Sequence, residues 1–232
     1  MFTTNPFSIL AETVPPVALQ SFVIVMVALV IIGTLVDIIH KKNVKYFFEN
    51  AKKAKLSATK TLSAGEKISV ISKTIVSDIA TTSELGAGKR RVAHLLGMYG
   101  TILFWTGSVI MIFCYSSPTI TTPLILPVFW HLGAIMTCLG GYWFWFFLRV
   151  DVAAEAYPWY RLIQADLFVL SLIITATFAL IWSFLQSTNI TGWDTLFLFL
   201  FGLSNIVLFG GVYWSKFALS LIHISEPTRR TP

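Results

Sequence analysis

Five long apolar runs dominate the pattern of hydrophobic and polar positions along the chain. Each run is about 20 residues or longer, the length that an α-helix needs to cross the hydrocarbon core of a bilayer. The polar positions between them form short connections and one long loop, residues 41–93. This pattern predicts an all-α integral membrane protein, a five-helix bundle with the spans Leu19–Ile39, His94–Tyr115, Leu124–Leu148, Leu162–Leu185 and Trp193–Trp214.

Composition supports the same fold class. Of the 232 residues, 56% are hydrophobic and only 12% are charged, which is not the composition of a soluble domain. The first apolar run has no basic segment before it, and no small-residue cleavage site follows it before Lys41. We therefore expect a retained helix, with residues 1–18 as an outer N-terminal segment and 19–218 as the membrane domain.

The distribution of charge predicts the orientation, because short loops rich in Lys and Arg stay in the cytoplasm. From Lys41 to Arg91 there are 12 Lys/Arg against 4 Asp/Glu, a net charge of +8. The connection 116–123 has no charge, and 186–195 carries only Asp194. The N-terminus is thus expected outside and the C-terminus inside, in a bacterial or archaeal cytoplasmic membrane, with lipid and no nucleic acid as partner.

The long basic loop contains two helical patterns. Residues 45–56 combine aromatic residues with lysines, as in an amphipathic helix at the headgroup level. Ser63 and Glu66 have the spacing of a capping box. Isoleucines then follow at helical spacing, at positions 68, 71, 75 and 79. The loop is either a solvated connector attracted to anionic lipid or a docking surface for a soluble partner.

We expect no functional site at the two cysteines or at the end of the chain. Cys114 and Cys138 lie in predicted spans and are interpreted as apolar fillers. Two thiols exclude an iron–sulfur cluster held by this chain alone, since ligation takes about four. Residues 219–229 resemble the translation of a transposon-end sequencing adapter. We expect 219–232 not to be native, so His223 carries no functional argument.

Two histidines within predicted spans are the candidate cofactor and metal ligands. An ionisable side chain inside a membrane is costly and is a functional candidate by default. His94 opens the second span after Arg90 and Arg91, and Gly97 and Gly100 leave room for a flat macrocycle. Paired imidazoles from facing helices commonly hold a low-spin haem. His131 lies nearer the outer face because the third span runs in the opposite direction, whereas His40 lies at the water interface.

Three short stretches resemble the haem b membrane subunits of the nitrate reductase gamma, heterodisulfide reductase and quinone-interacting oxidoreductase type. They are Arg90–Gly100, Asp166–Phe168 and Ser215–Ala218. The resemblance implies that His94 is one ligand of an inner haem b and that its partner histidine occupies position 219, where the adapter begins. It also implies that Phe104 and Phe201 stand where nitrate reductase gamma subunits have the ligands of an outer haem, so that haem is not expected.

For His131 two alternatives remain open. It serves a different outer haem or a quinone, with Met111 as a conceivable ligand, or it is a buried structural histidine held by hydrogen bonds. Asp37 and Asp166 reach the membrane interface, or one of them accepts a proton from a quinol.

Small and polar residues of the later spans are interpreted as packing groups. Ser204 and Asn205 suggest interhelical hydrogen bonds. Gly140, Gly141, Gly210 and Gly211 suggest close helix contacts.

The favoured function is a non-catalytic membrane anchor and electron-transfer subunit. Within the family, the chain most resembles the anchor of adenylylsulfate reductase in sulfur-oxidising bacteria. That resemblance implies cytoplasmic flavin and iron–sulfur subunits as partners, haem b as cofactor and quinone as diffusible carrier. The alternative is a haem-free anchor or assembly factor that recruits its partner through the basic loop. A transporter is disfavoured, because neither a broken-helix pair nor an inverted repeat is visible.

Overall fold

The described part of the chain is helical and contains no strand, which confirms the all-α prediction. The computed structural model describes residues 1–41, 48–50, 52–53, 63–74, 80–82, 88–148, 166–190 and 192–211, and the single residues 56, 76, 160 and 162. Side chains are described for all of these except 37–41 and 64. The helices are α1 Pro6–Leu10, α2 Pro16–Lys41, α3 Ala64–Thr74, α4 Lys89–Cys114, α5 Ile125–Trp143, α6 Leu167–Ser187 and α7 Trp193–Gly210. A π-helical turn, Phe144–Leu148, continues α5.

Five of these helices are long and apolar enough to cross a membrane: α2, α4, α5 with its π-helical turn, α6 and α7. This confirms a multi-pass helical protein, while the orientation of the spans stays a prediction. The second span begins at Lys89, earlier than expected, because Gly88 adopts the extended backbone of an N-cap and the polar residues after it continue the helix. The fourth begins later, at Leu167 instead of Leu162.

Helices α4 and α5 pack with their backbones in contact. A Cβ atom added to Gly133 would lie 2.5 Å from Phe104 N, and one added to Gly100 would lie 2.6 Å from Thr137 N. Further along the same contact, a Cβ on Gly140 would lie 2.6 Å from Ala93 O. Small residues at such positions let two membrane helices approach closely. The glycines therefore fix the α4–α5 pair as the centre of the bundle.

The expected role of the four later glycines is half confirmed. Gly140 belongs to the α4–α5 contact, and a Cβ on Gly141 would lie 2.5 Å from Ile173 Cγ1 in α6. For Gly210 and Gly211 the prediction is wrong within the described residues, because an added Cβ would meet nothing within 4 Å.

Aromatic side chains from four helices fill the centre of the bundle. Phe104 and Trp130 are fully buried, with ring centroids 5.2 Å apart. Trp182 stacks on Phe201 at 5.8 Å, and the rings of Phe104 and Phe201 lie edge to face at 6.4 Å. These contacts join α4, α5, α6 and α7 into one close-packed core.

The N-terminal segment forms a short helix, α1, that packs onto one end of the bundle. Asn5 caps it: Phe7 N donates to Asn5 Oδ1 at 3.0 Å, and Asn5 Nδ2 donates to Tyr115 O at 2.9 Å. Gln186 Nε2 in α6 donates to Pro6 O at 3.1 Å. Phe7 then reaches the rings of Trp130 and Trp182. Residues 1–18 are thus partly built into the fold, and we call this the α1 end.

Candidate functional site

The side chain of His131 is buried and both of its ring nitrogens are hydrogen-bonded. Nδ1 lies 2.7 Å from Pro127 O, and Nε2 lies 2.8 Å from Ser183 Oγ. A carbonyl oxygen only accepts, so we assign the proton to Nδ1, and the Ser183 hydroxyl then donates to Nε2. A histidine bonded in this way has no free nitrogen for iron or for a quinone.

Aromatic rings surround His131 on its remaining sides. Phe2 lies edge-on at 5.2 Å and Trp130 at 4.7 Å between ring centroids. His131 itself has no exposed surface. Met111, the conceivable soft ligand, is also fully buried and belongs to the hydrophobic core. This is the environment that the structural alternative for His131 describes, and it leaves no space for a macrocycle.

His94 has the opposite environment. It lies in the second turn of α4 and is exposed, close to the exposed residues Lys89 and Arg90. Within the described parts of the chain, neither ring nitrogen of His94 has a hydrogen-bond partner. The nearby residues that do bond are Arg91, whose Nε donates to Thr81 O at 2.7 Å, and Tyr99, whose hydroxyl donates to Ala80 O at 2.7 Å. The imidazole of His94 is therefore available to a ligand or a partner.

The two glycines that follow His94 differ in what they face. A Cβ added to Gly97 would meet nothing within 4 Å, so this position, one helical turn from His94, is open. Gly100 faces the backbone of α5, and the expectation that it makes room for a macrocycle is wrong. His94 and Gly97 together suit the approach of a flat group from outside the helix pair. Among the described residues, His94 offers the one open imidazole.

The core occupies the place where an outer haem of the nitrate reductase type would lie. Phe104 and Phe201, the residues at the two ligand positions, pack against each other and against Trp130 and Trp182. Neither phenylalanine has an atom that can ligate iron, and their two ring centroids lie 6.4 Å apart. The residues present do not fit an outer haem there.

Ser204 and Asn205 play different parts in α7. Thr175 Oγ1 in α6 donates to Ser204 Oγ at 3.0 Å, which is the interhelical bond expected for Ser204. Asn205 Nδ2 instead donates to Phe201 O of its own helix at 2.8 Å. Asn205 Oδ1 is buried and has no partner among the described residues. The interhelical role predicted for Asn205 is therefore wrong for this part of the chain.

Several residues to which the sequence assigns a role lie at the edge of the described ranges or outside them. Asp166 is buried and occupies the N-cap position of α6, without a capping bond from its side chain, and not one turn inside the span. The side chains of Asp37 and His40 lie outside the described residues, as do Ser215–Ala218 and position 219.

The basic loop is described in short pieces. Its capping box is confirmed: Ser63 N donates to Glu66 Oε2 at 2.8 Å, and Glu66 N donates to Ser63 Oγ at 3.3 Å. Ile68 and Ile71 of α3 are 68% and 58% exposed, so α3 presents an uncovered apolar face. Isoleucines 75 and 79 and half of residues 45–56 lie outside the described residues.

The two cysteines are free thiols on different helices. Cys114 ends α4 and is exposed, whereas Cys138 in α5 is partly buried, with its Sγ 3.5 Å from Thr177 Oγ1. The partial burial of Cys138 agrees with the expectation that it fills space, whereas Cys114 does not fill space within the described bundle.

The spans, the glycine-mediated contact and the internal hydrogen bonds define a multi-pass α-helical membrane protein. No protein-family description, curated protein or solved structure matches the chain.

Proposed function

We propose that this protein is a haem b electron-transfer subunit that anchors a cytoplasmic redox enzyme to the membrane and links it to the quinone pool. The observation that supports this most is the contrast between the two intramembrane histidines. His131 is fully used in holding the bundle together, whereas His94 is exposed with both ring nitrogens free of described partners. A histidine kept in a span without an internal partner is a candidate ligand.

His94 would supply one of the nitrogen ligands of a haem on the outer surface of α4. The open space at Gly97, one turn further along the helix, lets the edge of a macrocycle approach the backbone there. The second nitrogen would come from a residue outside the described part of the chain, and the family resemblance implies a histidine at position 219. When bound, the haem would carry single electrons, and the protein would set its potential through ligation and burial.

The basic end of α4 suits the docking of a soluble partner. Lys89 and Arg90 are exposed beside His94, and the loop before them carries a net charge of +8 from Lys41 to Arg91. Under the positive-inside rule this end faces the cytoplasm. The exposed apolar face of α3 adds contact area for a partner or for lipid. From the resemblance, the partner would be the flavin and iron–sulfur subunits of adenylylsulfate reductase.

The test is a reduced-minus-oxidised absorption spectrum of the full-length protein, expressed from the native gene and purified in detergent. We expect the bands of a low-spin haem b in the wild type and their loss in His94→Ala. The matched control is His131→Gln, which should keep the spectrum because His131 ligates nothing. A wild type without haem bands, or a His94→Ala variant that retains them, would refute the haem proposal.

A haem-free anchor is the second candidate, because the described residues supply a single open imidazole. In that case the loop alone recruits the partner. The protein would then lack visible absorption, yet a cytoplasmic partner would still co-purify with it. Charge reversal at Lys89 and Arg90 should release that partner, whereas His94→Ala should not.

A further inference from the structure

A cavity of about 470 Å³ lies between α2, α4 and α7, within the size range of small-molecule sites. Phe7 and Leu10 of α1 line it together with Phe22 and Met26 of α2. Trp105 of α4 and Phe209 of α7 contribute further apolar surface. None of the described residues that line it is charged. Such walls suit an uncharged apolar molecule.

Of the described lining residues, two carry a side-chain hydroxyl or amide, and one of these two has a polar atom without a described hydrogen-bond partner. Ser108 Oγ accepts from Trp130 Nε1 at 2.8 Å and donates to Phe104 O at 2.9 Å. Asn205 is 2% exposed; its Nδ2 is bonded to Phe201 O, and its Oδ1 has no partner among the described residues. A buried carbonyl oxygen without a donor is costly, particularly within a membrane. Asn205, a residue of the cavity wall, thus has one buried acceptor that lacks its hydrogen bond among the described residues.

The helix that bounds the cavity on the lipid side is the least buried span. Only 6% of the apolar window of α2 is buried, against 22–39% for the other spans. Little of the molecule holds α2 against α4 and α7. A molecule dissolved in the bilayer can therefore enter from the side, between α2 and its neighbours.

The position of Asn205 and the charge of the cavity wall restrict what can bind there. Asn205 lies twelve residues after Trp193 and five before Gly210, about 18 Å from one end of α7 and about 8 Å from the other. A phosphate group is charged, and the described lining residues offer it no opposite charge. Because Oδ1 is an acceptor only, a carbonyl or ether oxygen cannot bond to it either. What fits is an uncharged apolar molecule with a hydroxyl group.

We propose that the α2–α4–α7 cavity binds a hydroxyl-bearing, uncharged lipid-like molecule, whose apolar body lies along α2 and whose hydroxyl donates to Asn205 Oδ1. Two sources share this chemistry: a hydroquinone with an apolar tail and a neutral lipid with a free hydroxyl, such as a diacylglycerol. The proposal does not depend on haem or on His94, which lies near the start of α4, whereas the lining residues of α4 come from its second half.

The test counts bound molecules by native mass spectrometry of the full chain released from detergent micelles. The probes are decyl-hydroquinone, kept reduced under anaerobic conditions, its O,O-dimethyl ether and 1,2-dioctanoylglycerol. We expect one equivalent of a hydroxyl probe to bind about tenfold more tightly than the ether, a ratio that corresponds to about 1.4 kcal/mol. Preference for the hydroquinone or for the glycerol lipid identifies the source, and either preference supports the shared chemistry.

Two matched pairs of variants locate the site. Gly202 lines the cavity and has open space for a side chain, so Gly202→Leu should abolish binding, whereas Gly210→Leu, open but outside the cavity, should not. Asn205→Leu should abolish the preference for the bound hydroxyl probe over the ether, and Ser204→Ala should preserve that preference. If Asn205→Leu does not fold, the glycine pair still tests whether the probe binds in the cavity. Absence of any bound probe, equal binding of all three probes to the wild type, or insensitivity to Gly202→Leu would overturn the proposal.

Discussion

Replacing Ser183 by alanine should destabilise the bundle, because its hydroxyl is the donor to His131 Nε2 at 2.8 Å. Leaving a buried acceptor without a partner costs about 1–3 kcal/mol. Hydrogen bonds between membrane helices average about 0.6 kcal/mol and reach about 1.7 kcal/mol. His131 is 0% and Ser183 is 2% exposed, so neither bulk water nor lipid replaces the lost donor. We therefore expect a loss of unfolding free energy near the upper part of this range, about 1–2 kcal/mol.

The measurement is an unfolding titration with sodium dodecyl sulfate in mixed micelles, followed by circular dichroism. The matched control is Ser187→Ala, one turn further along α6, where the hydroxyl donates only to Phe184 O of its own helix. That variant should change stability by less than about 0.5 kcal/mol. Ser183→Thr keeps a hydroxyl and should recover part of the loss.

A double-mutant cycle isolates the bond itself. Ser183→Ala, His131→Leu and the double variant should give a coupling energy of about 0.5–1.7 kcal/mol, since each single change removes the same contact. Additive effects within about 0.3 kcal/mol would show that the two side chains do not interact. That result would remove the reason for treating His131 as structural and would return it to the list of candidate ligands.

Three further predictions concern packing, the N-terminus and orientation. Gly133→Ala places a Cβ 2.5 Å from Phe104 N and should cost about 1–3 kcal/mol of unfolding free energy, whereas Gly210→Ala should be neutral; equal effects would contradict the backbone contact. Asn5→Ala removes a helix cap and should destabilise α1 by about 0.5–2 kcal/mol, seen as faster amide hydrogen exchange in residues 7–14. In a cysteine-free background, an impermeant maleimide should label Ser117→Cys in intact cells and Ser72→Cys only after lysis; the reverse pattern would invert the topology.

The number and type of the spanning helices could be predicted from the sequence, because a helix must be about 20 apolar residues long to cross the bilayer. The residues at which these helices begin and end were harder to predict. The first turn of α4 is helical, although its side chains are too polar for the hydrocarbon. Helical hydrogen bonds join backbone groups and do not require apolar side chains, so the helix extends beyond the apolar run. The short helix α1 has too few residues for a periodic pattern. Its signal was Asn5 followed by Pro6, an N-cap residue before proline at the first helical position.

Residue type alone did not predict the role of the glycines. Gly133 and Gly210 are the same residue in the same kind of helix, yet one touches a neighbouring backbone and the other faces open space. The difference lies in which face of the helix meets a neighbour, and that depends on packing between segments distant in sequence. The same holds for His131, whose partner Ser183 is 52 residues away.

The polar groups of the spans separate into those whose hydrogen bonds are complete and those whose bonds are not. His131, Ser108 and Ser204 have their bonds within the bundle, so their burial is explained by the stability they give. His94 and Asn205 have an atom left without a described partner, and folding alone gives no reason to keep a costly group in that state. His94 lies on the exposed surface of α4, and Asn205 is a buried residue in the wall of the cavity beside α2. The chemistry of this protein is therefore to be sought where its helices meet lipid or a partner, and the core serves to hold those surfaces in place.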